Sequence, residues 1–116
     1  MSAEEFWPFY ISQHMNRLTR RLHFTGTTLG LACLAGGIVS GDSWFFPAGL
    51  VLAYGFAWAG HFFVEKNRPA TFKYPFLSFR ADFRMYALMW RGGMEAEIAR
   101  LKSDIQRHLA TQGRHS

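Results

Sequence analysis

Ser43–Ala70 reads SWFFPAGLVLAYGFAWAGHFFVEKNRPA. From Ser43 to Val64 it contains no Asp, Glu, Lys or Arg, and Glu65, Lys66 and Arg68 then follow at once. An α-helix rises about 1.5 Å per residue, so roughly 20 residues cross a ~30 Å hydrocarbon core. This run is long enough. Working back from it, Asp42 interrupts, and Phe24 to Gly41 is again free of charge, at the short end of the range. The glycines scattered through both runs do not argue against spans, because glycine is common in membrane helices. Gly41-Asp42-Ser43 has the chemistry of a tight turn. The pattern predicts spans from about Phe24 to Ser40 and from about Phe45 to Val64. Trp44, Phe45 and Phe46 would form an aromatic belt at the interface beside the turn.

The chain has 116 residues, the size of one domain. A mean hydropathy of −0.05 hides strong segregation of apolar and charged stretches. A soluble domain this small could hardly cover two helices that are apolar on every side. The first 23 residues carry Glu4, Glu5, Arg17, Arg20 and Arg21, so no cleaved signal peptide is expected. Cys33 is the single cysteine and reads as a small buried hydrophobe. The net charge of +5 gathers before the first run and after the second, with no Lys or Arg in the turn. That distribution points to anionic lipid headgroups as partners rather than nucleic acid, and it predicts both termini on the cytoplasmic side.

The flanks are helical in pattern. Residues 4–23 read as a helix lying at the membrane surface or leading into the first span, with Pro8 at an early position. Residues 70–90 mix Phe, Tyr, Leu and Met with Lys73, Arg80, Asp82 and Arg84, too charged to span and too apolar to float, so they read as interfacial. Arg91-Gly92-Gly93 is a hinge. Met94, Ile98, Leu101, Ile105 and Leu109 then recur at helical spacing, an amphipathic helix for self-association or surface docking, before a polar tail from Thr111 to Ser116. The expected fold is all-α: a two-span membrane hairpin with amphipathic interfacial helices at both ends. It divides into a membrane domain, 1–93, and a C-terminal helix and tail, 94–116.

Histidines carry the chemistry. His23 opens the first span and His61 closes the second, so an antiparallel hairpin puts both on one side at similar depth. Glu65 follows His61 by four residues and shares its helical face. Two imidazoles and a carboxylate can leave positions on iron open for oxygen and substrate. His14 precedes His23 by nine residues, half a turn of the wheel away and ~13 Å along a straight helix. Either the helix breaks between them or His14 has another role. Glu65 could instead pair with Lys66 or Arg68. Asn67 reads as a helix terminator, and Asp82 either pairs with Arg80 or Arg84 or supports a metal-bound histidine. His108 and His115 read as solvated.

The pieces Phe9-Tyr10-x-x-x-His14-x-Asn16, His23-x-x-Gly26, Gly60-His61-x-x-x-Glu65-x-Asn67-x-Pro69-Ala70 and Pro75-x-x-Ser78-x-x-x-Asp82-Phe83 fall in that order. Together they resemble the small membrane family that includes the 2-hydroxy-fatty-acid dioxygenase of fungal phytosphingosine breakdown. The resemblance covers about residues 6–90. It implies an Fe(II)-dependent, oxygen-consuming enzyme integral to the endoplasmic reticulum or a bacterial inner membrane, which shortens a 2-hydroxy fatty acid by one carbon. It carries over His14, His23 and His61 as metal ligands and marks Glu65, Asn67 and Asp82 as further site residues. Longer members have more hydrophobic segments, so a homodimer would complete the site here. Two rivals stand beside this reading: a non-enzymatic membrane adaptor that grips lipid and recruits a partner through its C-terminal helix, and a hydrolase or hydroxylase with another metal on the same ligands.

Overall fold

The computed structural model describes the backbone of residues 2–115 and the side chains of residues 2–111. The described residues form helices and turns in two compact units. One is continuous, Asn16–Asn67. The other joins the first 15 residues to those from Arg68 onward.

The continuous unit is a helical hairpin. α2 (Arg17–Ser40) begins at Asn16, whose Oδ1 accepts the Leu18 N–H at 2.8 Å, satisfying a donor that the first turn leaves open. It ends at Gly41, which adopts φ +75° and returns its N–H to the Gly37 carbonyl. Asp42 Oδ1 accepts the Trp44 N–H at 3.0 Å and so starts α3 (Phe45–Ala59). A π-helical turn, Gly60–Glu65, extends α3 without interruption. Arg17–Ser40 and Phe45–Glu65 are the two described helices long and apolar enough to cross a membrane.

Small residues bring these helices close. A Cβ added at Gly26 would lie 2.8 Å from the Ala53 carbonyl oxygen and 2.8 Å from the Phe56 Cβ. One at Gly49 would lie 2.9 Å from the Cys33 Cβ, and one at Gly60 would lie 2.9 Å from Thr19 Cγ2. Gly26, Gly30, Cys33 and Gly37 recur at steps of four, three and four on α2, a stripe on which another backbone can lie.

The second unit is built around α1 (Ala3–Ser12). Its Phe6, Trp7, Tyr10 and Ile11 are all buried. They pack with Ala81 and Met85 of α4 (Pro75–Trp90), Met94 of α5 (Met94–Arg100) and Ile105 of α6 (Lys102–His115). Ala70, which opens a short 3₁₀ turn at Ala70–Phe72, joins the same core. Pro75 starts α4 at a position that needs no N–H. α4 stops at a left-handed Gly92: Gly93 N–H bonds the Leu88 carbonyl at 2.8 Å and Gly92 N–H the Met89 carbonyl at 3.2 Å. The predicted hinge is therefore a hydrogen-bonded helix stop.

Several expectations change here. Residues 4–23 are two helices, because the chain leaves α1 at Gln13 and re-enters a helix only after the Asn16 cap. Pro8 sits inside α1, beyond its first turn. The apolar face of α1 lies in a core. The C-terminal stripe is likewise used inside the chain: Met94, Ile98, Leu101 and Ile105 join the core around α1. Leu101 interrupts the helix expected to run unbroken. His108 is half-buried, its ring edge-on to Phe9 at 5.5 Å rather than solvated. Helical backbone continues to His115 through most of the expected tail, while the His115 side chain and Ser116 lie outside the described residues.

Candidate metal centre

In the hairpin, His23 lies about two turns into α2 and His61 lies in the π turn that ends the second long helix. Both are buried, at 7 % and 3 % exposure. Their rings stand nearly perpendicular with centroids 6.3 Å apart, and each offers a ring nitrogen within 4.8 Å of the other's. The antiparallel geometry thus delivers the pair that the sequence predicts.

His61 is clamped from behind. Lys66 takes φ 59°, the one positive φ outside glycine among the described residues. A left-handed side-chain-bearing residue costs about 1–2 kcal/mol, so something must hold it there. What the turn achieves is a return of the chain onto His61. Asn67 N–H bonds the His61 carbonyl at 2.9 Å, and Asn67 Oδ1 lies 2.7 Å from His61 Nδ1. An amide oxygen only accepts, so Nδ1 donates and Nε2 carries the ring's lone pair. That is the arrangement of a metal-binding histidine, whose second nitrogen is normally fixed by an oxygen acceptor. Asn67 is thus more than a helix terminator. Its sequence signal is faint, since only the fold shows where the turn sends it.

Glu65, predicted beside His61, uses its Oε1 to accept the Asn16 N–H at 2.7 Å. It ties the end of the second long helix to the start of the first. The cap residue Asn16 thereby serves twice, holding Leu18 with its side chain and Glu65 with its backbone.

His14 and Asp82 belong to the other unit. His14 is fully buried; its Nδ1 donates to the Tyr10 carbonyl at 2.7 Å, which again leaves the lone pair on Nε2. Its ring stacks on Tyr10 at 4.1 Å between centroids. The Tyr10 hydroxyl donates to Asp82 Oδ1 at 2.5 Å. Burial pushes the Asp82 carboxyl up to about 7, against the downward pull of the Tyr10 hydrogen bond. Burial, reinforced by the neighbouring Asp82 charge and hydrogen bond, holds the Tyr10 hydroxyl well above its ordinary value. Tyr10 falls within the family pattern, four residues before His14, but the pattern gives it no role.

In the hairpin His23 and His61 supply two buried imidazole donors, and in its own unit His14 is a third buried imidazole. Neutral imidazoles suit zinc, copper, iron and nickel, and the two fixed tautomers fit that use.

Two helices of bilayer length and a buried histidine pair define the class: a helical protein whose hairpin carries two buried imidazoles at one end. Residues 1–94 match the family described as 2-hydroxy-palmitic acid dioxygenase Mpo1-like, and the chain belongs to that family. Among curated proteins and among solved structures nothing matches.

Proposed function

We propose that the protein is an Fe(II)-dependent dioxygenase of membrane lipids that shortens 2-hydroxy fatty acids by one carbon. The observation that carries this reading is the buried His23–His61 pair with Asn67 fixed on the far nitrogen of His61. Family membership supports the reaction class. His23 and His61 hold the metal, and His14 completes the donor set. The lone pair on His14 Nε2 favours it over Glu65, whose Oε1 serves Asn16. The two long helices span the membrane with both termini on the cytoplasmic side, in keeping with the basic residues that flank them.

Bound iron would supply oxygen activation; the protein supplies binding, orientation and exclusion of water. Arg20 is 5 % exposed and lies one turn before His23 on the same helix face. It is the basic residue best placed to meet a carboxylate, since Arg17 and Arg68 are exposed. A substrate carboxylate at Arg20 would bring the adjacent 2-hydroxyl toward the histidine pair. Asn67 keeps His61 in one tautomer and one orientation through turnover. The overall balance is R–CH(OH)–COOH + O₂ → R–COOH + CO₂ + H₂O.

The test is metal content of protein purified anaerobically in detergent, beside His23→Ala/His61→Ala and Asn67→Ala variants. Near-stoichiometric iron in the parent, none in the double variant, and oxygen uptake matched by CO₂ release from 2-hydroxy fatty acids are expected. Asn67→Ala should weaken metal affinity by roughly 10–100-fold. A parent that binds no metal after Fe(II) reconstitution would sink the reading.

A further inference from the structure

α4 has two apolar faces, and its own unit covers one of them. Ser78, Ala81 and Met85 point into the core. On the other side Phe76 is 90 % exposed, Phe79 56 %, Phe83 41 % and Trp90 66 %. At 100° per residue these four fall within an arc of about 60°, so they form one aromatic ridge along the helix. Phe79 and Phe83 meet edge-to-face at 5.1 Å, and Tyr86 and Trp90 at 6.2 Å.

The charge beside the ridge has one sign. Lys73, Arg80 and Arg91 are exposed on or next to α4. Arg84 lies over the Trp7 ring at 4.3 Å. The one acidic residue of α4, Asp82, bonds Tyr10 on the core side.

We propose that this outer face of α4 docks on an anionic bilayer surface, with the aromatic ridge at the headgroup–acyl boundary and Lys73, Arg80 and Arg91 among the lipid phosphates. Aromatic rings favour that depth, and basic side chains beside them are drawn to anionic headgroups. A second copy fits the face worse, because a two-fold contact would set this basic flank against itself. α1 offers no rival surface, since its apolar side is buried. The inference rests on the reading of the two long helices as bilayer spans. Nine residues, including Lys66, Arg68 and Lys73, then tether α4 to the end of the second span.

The experiment places a nitroxide on the full chain in lipid nanodiscs. In a Cys33→Ala background, Phe79→Cys and Phe83→Cys probe the ridge, Leu50→Cys probes an outward-facing position inside the second span, and Ala99→Cys probes exposed α5. Collision with oxygen is compared with collision with a water-soluble nickel chelate. The expected result is a deep Leu50 label, an aqueous Ala99 label, and ridge labels at the interface. Adding Arg80→Glu and Arg91→Glu should move the ridge labels toward water in discs rich in phosphatidylglycerol, and less so in phosphatidylcholine. Aqueous ridge labels beside a deep Leu50 label would overturn the docking and leave the spans standing. An aqueous Leu50 label would overturn both. Ridge labels shielded from both reagents and coupled to a second chain would assign the face to a dimer, which also overturns the proposal.

Discussion

The hairpin and the helix cluster around α1 bring helices together by opposite means. In the hairpin the contact residues are the smallest available: Gly26 and Gly30 of α2 meet Gly49 and Ala53 of α3. In the cluster they are among the largest: Phe6, Trp7 and Tyr10 are buried with Met85 and Ile105. The difference is the one that the proposed setting of each would call for. Between helices in lipid, burying a leucine or phenylalanine gains little, because lipid tails are as apolar as the side chain, so close backbone approach has to supply the attraction. Beside water, removing large apolar surface is the main stabilising term. The exposed sides agree. Leu50, Val51, Ile38 and Val39 face outward on the hairpin, as residues facing lipid would.

The largest effect that could break this contrast is a truncation in the cluster. Phe6 is 1 % exposed and meets the rings of Phe9 and Tyr74 edge-on. Phe6→Ala should cost about 3–5 kcal/mol, the range for emptying a buried aromatic site. Hydrogen exchange should rise in α1, α4 and α6, while the hairpin amides keep their protection. Equal loss in both units would mean that they share one core, and the contrast would fall.

The converse change belongs in the hairpin. Gly26→Leu forces atoms into a position where even a Cβ meets the Ala53 carbonyl and Phe56 at 2.8 Å. A loss of about 1–3 kcal/mol is expected, read as faster exchange across α2 and α3 with the cluster unchanged. Gly55 is the control, because an added Cβ there meets nothing within 4 Å. Gly55→Ala should be neutral or slightly stabilising, since alanine is the better helix former. A Gly26→Leu hairpin as protected as the parent would mean that close approach does not hold these helices.

Sequence reading reached the two units unequally, for the same reason. The hairpin is local: two charge-free runs and a Gly41-Asp42-Ser43 turn specify it, and pairing consecutive helices brings His23 to His61. The cluster is not local. α1 packs against residues of a segment that begins at Arg68, and no nearby pattern announces that partnership. The Met94–Leu109 stripe was legible as apolar, yet what it covers was not. The break before Asn16 was written in a capping residue directly ahead of Arg17 and Leu18, a weak signal among many polar residues. The Lys66 turn had no signal at all, because lysine seldom adopts a positive φ. With it went the role of Asn67, which depends on that turn folding back onto His61.

Asp82 separates the units by pH. Its carboxyl stands at about 7 in the folded chain, against an ordinary value of 3.8, chiefly because burial disfavours the charged form. The folded state therefore holds a proton that the unfolded state releases. Stability from this group is fully present below 3.8 and is lost as pH rises through about 7, beyond which it stays flat. Asp82→Asn keeps an oxygen that can accept the Tyr10 hydroxyl but removes the titration. The parent cluster should lose protection as pH rises across that window, and the variant cluster should not. The hairpin of the same molecules serves as the internal reference, with unchanged differences between parent and variant at each pH. If the parent's cluster keeps constant protection across the window, Asp82 ionises freely in the folded chain and its burial beside Tyr10 is not as the structure has it.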